Sequence, residues 1–117
     1  MLNIHEIESV YLATGTTDLR KSIDGLAIIV KEQFDLDPFS SSLFIFCNKS
    51  RNRIKALYWD YNGFWLIVKR LERGKFKWPN DEKETIKIDL DELKWLLDGY
   101  EIRRGKVFKK VTQKAVI

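Results

Sequence analysis

Residues 69–79 read KRLERGKFKWP; five of these eleven are Lys or Arg, and Phe76 and Trp78 stand among them. Cations at this density suit an anionic ligand. Lysine holds phosphate as a diffuse charge, and arginine can bind it through two parallel N–H bonds. In an extended segment the side-chain period is two, so Lys75 and Lys77 share one side and Phe76 and Trp78 the other. The rings are then free to enter a core while the lysines face solvent. This alternation favours contact with phosphate, which positions a nucleic acid without reading bases. It disfavours stacking of single-stranded bases on the rings.

A second basic run, Lys49, Arg51, Arg53 and Lys55, leads from the polar loop NKSRNR (48–53) into the next apolar stretch. With Lys69, Arg70, Arg73, Lys75 and Lys77, and with Arg20 and Lys21 at the start of a helical segment, it makes up a candidate nucleic-acid-binding set. Tail residues Arg103, Arg104, Lys106, Lys109 and Lys110 would add a second contact. Net charge is only +4, but it is segregated. Residues 1–41 carry −4, 42–80 carry +7, 81–100 carry −4 and 101–117 carry +5. Segregation of this kind points to an anionic partner for the middle and the tail. Basic residues also keep sheet edges soluble, so the pattern fits a purely structural use as well.

Other chemistries find little support. One His and one Cys, His5 and Cys47, exclude the usual zinc patterns. His5 reads as an exposed terminal residue and Cys47 as a small buried hydrophobe. No GxxxxGK[ST] or GxGxxG phosphate loop is present. A two-metal nuclease needs converging carboxylates. Asp18, Asp24, Asp60 and Glu72 are the candidates near apolar elements, and each has a structural explanation as cap, helix residue, turn residue or ion-pair partner. No cofactor is expected.

These residues need a scaffold. A chain of 117 residues, 44% hydrophobic and with four Trp, suits one globular domain. Its longest apolar runs, such as LAIIV (26–30) and FWLIV (64–68), are too short to span a bilayer, so no membrane partner is expected. The N-terminal segment shows no signal-peptide pattern, and the single cysteine fits a reducing cytoplasm. ESVYLAT (8–14) reads as a short strand. Ile23, Leu26, Ala27, Val30 and Phe34 then mark one face of a helix capped by Thr17 or Asp18, and Pro38 follows its end. Gly25 inside that helix costs roughly 1 kcal/mol relative to Ala and would be tolerated if another backbone packs closely against it. From residue 42 the period changes to two. SLFIFC (42–47), IKALYWD (54–60), GFWLIVKRL (63–71) and KFKW (75–78) read as an antiparallel meander, with the Asn-Gly pair of YNG (61–63) turning one hairpin. The 63–71 strand, apolar on both faces, reads as central and covered on both sides. TIKI (85–88) is a further strand. DLDELKWLLDG (89–99) is a short helix with Asp89 as N-cap, Glu92 three residues on, Leu90, Leu93 and Leu97 on its buried face and Gly99 as stop. The expected fold is α+β: a single domain (1–100) in which a meander of about four to six strands packs against one longer and one short helix. A basic C-terminal hairpin or tail (101–117), turning near Gly105 and fraying at QKAVI, follows.

The stretches ATGTTDLRKSIDGLA, DPFSSSLFIFCNKSRNRIKALYWDYNGFWLIVKRLERGKFKWP and LDELKWLLDGYE together resemble the TnpB-type, Orf2-like accessory protein of the IS66 family of bacterial insertion sequences. The resemblance rests on Asp18, Arg20, Lys21, Gly25 and Leu26, on Asp37, Pro38 and Phe39, and on Phe44, Phe46 and Asn48. It continues through Lys55, Leu57, Tyr58, Trp59, Asp60, Gly63 and Phe64, and ends in Lys69 to Glu72, Gly74, Phe76, Trp78 and Pro79. It runs from about residue 10 to 100. Ser41 and Ser42 depart from the family's usual Gly, and the tail matches no family motif. The resemblance implies a non-catalytic accessory protein acting beside a separate, larger transposase. DNA and the transposase, or other proteins of the element, are the implied partners. Two modes of action fit: DNA binding through the basic hairpins, or protein assembly through Trp59, Trp65 or Trp95. A nuclease reading would rest on Asp60 and Glu72.

Overall fold

The computed structural model describes residues 4–81 and 83–102. The expected hairpin around Gly105 and the frayed end lie outside the described residues. A short 3₁₀ turn, Ile4–Glu6, leads into β1 (Ser9–Ala13), α1 (Ile23–Ile28) with a π-helical continuation Ile29–Gln33, β2 (Ser42–Cys47), β3 (Arg53–Asp60), β4 (Gly63–Arg70), β5 (Thr85–Ile88) and α2 (Leu90–Leu97). The five strands form one sheet in the order β4-β3-β2-β1-β5. β2, β3 and β4 are an antiparallel meander, and β1 pairs parallel with β2 and antiparallel with β5. The α+β class is as expected, and the sheet is mixed because α1 provides the crossover that a parallel β1–β2 pair needs.

Each sheet face carries its own core. Alternation sends Val10, Leu12, Leu43, Ile45, Ile54, Ala56, Ile86 and Ile88 to one face, where Leu93 and Leu96 of α2 cover them. The other face presents Phe44, Phe46 and Leu57 to Leu26, Ile29 and Val30 of the long helix. The strand covered on both sides is therefore β2, buried at all six positions, and not the 63–71 strand. β4 lies at the sheet edge and is largely exposed, because the crossover places β1, not a later strand, on the far side of β2.

KFKW is likewise no strand. Residues 71–79 run as an irregular arm across the α2 face. Leu71 N–H donates to Asn52 O at 2.7 Å, Phe76 N–H to Arg51 O at 2.7 Å, Gly15 N–H to Pro79 O at 2.9 Å and the Trp78 indole N–H to Ala13 O at 2.8 Å. The side-chain alternation still holds: Phe76 and Trp78 are buried, while Lys75 and Lys77 are exposed. Burying the two rings is what ties this cationic arm to the sheet.

The helices differ from expectation in detail. The first starts only after Ser22, which makes no side-chain cap, while Asp18 is occupied by Arg20. The closest neighbours to a side chain at Gly25 are Lys21 side-chain atoms, 3.2 to 3.7 Å away, and not another backbone. In α2 the Asp89–Glu92 capping box is present, and Leu93 and Leu96 form the buried face while Leu90 is exposed. Gly99, at φ +98, closes that helix with a conformation that side chains avoid.

Candidate nucleic-acid interface

The loop joining β2 to β3 is organised by Asn48. Its Oδ1 accepts the backbone N–H groups of Asn52 and Arg53, each at 3.0 Å, and its Nδ2 donates to Asn52 Oδ1 at 2.8 Å. These bonds hold a tight turn in which Arg51 adopts φ +59. The arm is fastened to the same turn through Arg51 O and Asn52 O, and Thr17 N–H donates to Cys47 O at 2.7 Å. Three separate basic stretches, 20–21, 49–55 and 69–77, are thereby gathered at one end of the sheet.

Within that end the cations divide by side. Cross-strand partners share a face, so Arg53 stands directly opposite Arg70, with Lys55 two residues on. This is the α1 side. Lys55 Nζ donates to Lys21 O at 3.2 Å, which adds Lys21 to the group. Thr16, Thr17, Asp18, Arg20, Asn48, Lys49, Ser50 and Arg53 line an open cleft of about 560 Å³ there. Lys69 faces the other way, as do Lys75 and Lys77 on the arm; Lys75, Lys77 and Arg51 line a second cleft with Asp81 and Glu101. Arg73 is exposed at the arm's turn beside Gly74. Arg51 is the least available, half-buried with its Nε buried and unbonded among the described residues.

Two carboxylates stand within ion-pair distance of this set. Arg20 grips Asp18 at 2.7 Å, and Arg70 grips Glu72 at 3.0 Å. The Arg20 guanidinium holds the Asp18 carboxyl well below the usual carboxylate range. Among the described residues no acid pairs with Lys21, Lys49, Arg53, Lys55, Lys69, Arg73, Lys75 or Lys77. Arg53 against Arg70 is a like-charge cross-strand pair, offset by Glu72 on the Arg70 side, while Arg53 has no acid of its own among the described residues.

The acids considered for catalysis are used structurally. Asp18 and Glu72 pair as above, Asp24 lies in the first turn of α1, and Asp60 accepts the Trp65 indole N–H at 2.9 Å. Among the described residues no three of His, Cys, Asp and Glu converge as a metal site requires. Cys47 is buried, and that burial pushes its thiol up to about 11 against a weaker opposing pull from Arg51.

Two features escaped the sequence reading. The polar groups of Thr16, Thr17, Asn48 and Ser50 beside the cations were not assigned to the site, although Asn48 stands in a motif that carried the resemblance. At the far end of the β3–β4 hairpin, Phe39, Trp59 and Phe64 form a partly exposed aromatic trio with centroids 4.9 to 5.5 Å apart. In the sequence reading Phe39 belonged to the segment after the helix and to the family resemblance, and Trp59 was named as an assembly contact, but the trio itself was not foreseen.

A family model described as IS66 Orf2 like protein matches residues 8–107. The chain belongs to the IS66 Orf2-like family. Its members are accessory proteins of insertion-sequence transposition, which gives the chain that general role. Two relatives from Sinorhizobium fredii agree in extent. The uncharacterized protein y4hO is 39% identical over 94 residues, covering 80% of this chain and 82% of its own. The uncharacterized protein y4jC is 31% identical over 97 residues, covering 83% of each. No solved structure matches. Among the described residues no helix is long and apolar enough to cross a membrane.

Proposed function

We propose that this IS66 Orf2-like protein is a non-catalytic transposition accessory that holds DNA by its phosphates at the cationic end of the sheet. The observation that carries this reading is the α1-side group: Arg53 opposite Arg70, with Lys55, Lys21 and Lys49 alongside, and one paired acid at each margin. Arg53, beside Arg70 and without an acid of its own among the described residues, is open to an anion. Lysines without acidic partners release counterions on contact with a polyanion. The neighbouring Thr and Ser hydroxyls and the Asn48 turn add neutral donors of the kind that fix a phosphate in place.

Fluorescence anisotropy with a labelled duplex tests this. Binding is expected at low salt, with log K falling against log salt at a slope of roughly −4, as four unpaired cations would give at about −0.9 each. An absence of binding at low ionic strength, or a flat salt dependence, removes this function.

A second reading has its own observation. The Phe39–Trp59–Phe64 trio, with Phe39 56% exposed, offers rings to a protein partner. On this reading the protein assembles with the transposase of its element. Co-purification with that transposase, lost in Phe39→Ala, is the expected result; unchanged recovery of the variant counts against it.

A further inference from the structure

We infer that two copies of this chain pair through β4 across a two-fold axis at Ile67. β4 is eight residues long, and on its outer side no described strand pairs with it. Every second residue of such an edge turns its N–H and C=O outward as a template for another strand. Natural edges are blunted by charge, proline or a bulge. Here the charges stand only at one end, Lys69 and Arg70, and the middle is apolar. Trp65 is 39%, Ile67 41% and Val68 52% exposed, an unusual state for large hydrophobic side chains on an edge that no described strand covers.

The side-chain order selects a second copy as the occupant. Along β4, Phe64 and Trp65 lie near the turn with Asp60, and Lys69 and Arg70 lie at the opposite end. A parallel partner of the same sequence would set cation beside cation. An antiparallel copy centred on Ile67 sets each cationic end against the aromatic and acidic end of the other. Lys69 then faces Trp65, whose ring already holds Asp60, and Arg70 faces Phe64; both are cation–π pairs. Leu66 faces Val68, and Ile67 faces its own copy. The edge is thus complementary to itself in one register. A seam of one strand per copy lies at the small end of specific interfaces, below about 1,200 Å². The association is accordingly weak, with a dissociation constant in the micromolar range or above.

Sedimentation velocity of the full chain without nucleic acid, from micromolar to millimolar concentration, tests this independently of the DNA reading. A reversible monomer–dimer equilibrium is expected, and Ile67→Lys, a change at an exposed position that places two ammonium groups on the axis, should shift it at least tenfold toward monomer. Engineered cysteines read the register. Ile67→Cys should oxidise to a covalent dimer. Trp65→Cys and Lys69→Cys should cross-link when mixed with each other, and neither with itself. A monomer throughout the range overturns the proposal, as does a dimer that Ile67→Lys leaves intact or in which Ile67→Cys fails to cross-link.

Discussion

The two ends of the β3–β4 hairpin are built from the same pair of strands, yet they carry opposite chemistry. At the turn end, Asp60 holds the Trp65 indole, and Trp59 and Phe64 pack on Phe39. At the open end, Arg53 faces Arg70, and the arm and the Asn48 turn bring in further cations. One end satisfies itself through ring contacts and an internal hydrogen bond. The other is left with charge that its own acids do not match. That unmatched charge, on a frame anchored by the buried Phe76 and Trp78, is what supports the proposal of a phosphate-holding surface at the open end.

The comparison breaks most readily at its anchor. Trp78→Ala removes a buried ring and its bond to Ala13 O, and should cost about 3–5 kcal/mol in urea unfolding. A loss well under that value would mean the arm is not held by its rings. Next in size, Arg53→Glu with Lys55→Glu should weaken duplex binding about a hundredfold at low salt, while Phe39→Ala at the turn end leaves it unchanged and lowers stability by about 1 kcal/mol. Equal effects on binding at both ends would erase the distinction. A smaller change should go the other way. Asp18→Asn frees Arg20, so affinity should rise a few-fold and the salt slope steepen by about 0.9. Because Arg20 depresses the Asp18 carboxyl, this pair is intact above the ordinary value of 3.8 and opens only as pH falls well below it. Wild-type binding should therefore show no gain from Arg20 as ordinary carboxylates titrate. Smallest of all, Cys47 should resist alkylation in the native protein. Its folded value is raised from 9.0 to about 11, so the protonated thiol favours the fold below 9.0 and that contribution fades as pH climbs toward about 11. Urea midpoints across that interval should drift downward, and Cys47→Ala should flatten the drift.

Much of this was legible in the residues. Period-two alternation correctly turned Phe76 and Trp78 inward and Lys75 and Lys77 outward, although no strand forms there, because an extended arm alternates as a strand does. The Asp89–Glu92 capping box and the helical face of Leu26 and Val30 are local patterns, and local patterns are what a sequence displays. The position of β4 was not legible. An apolar strand can lie in the centre of a sheet or at an edge that presents its side chains outward, and only the pairing of β1 beside β2 decides between them. The hairpin turn was foreseen from Asn-Gly, yet the left-handed residue is Tyr61, at φ +58. As for the site, charge density named the cations, but Asp18 and Glu72 as their partners, the inward turn of Arg51, and the division of the set between two sides depend on tertiary placement.

The most direct measurement is the map of backbone amide shifts when a short duplex is titrated into the labelled protein at low salt. Perturbations concentrated at Lys21, Lys49 to Lys55 and Lys69 to Arg73, with Phe39 and Trp59 to Trp65 unmoved, are the expected result. Shifts centred on the aromatic turn end, or none at all, would contradict it.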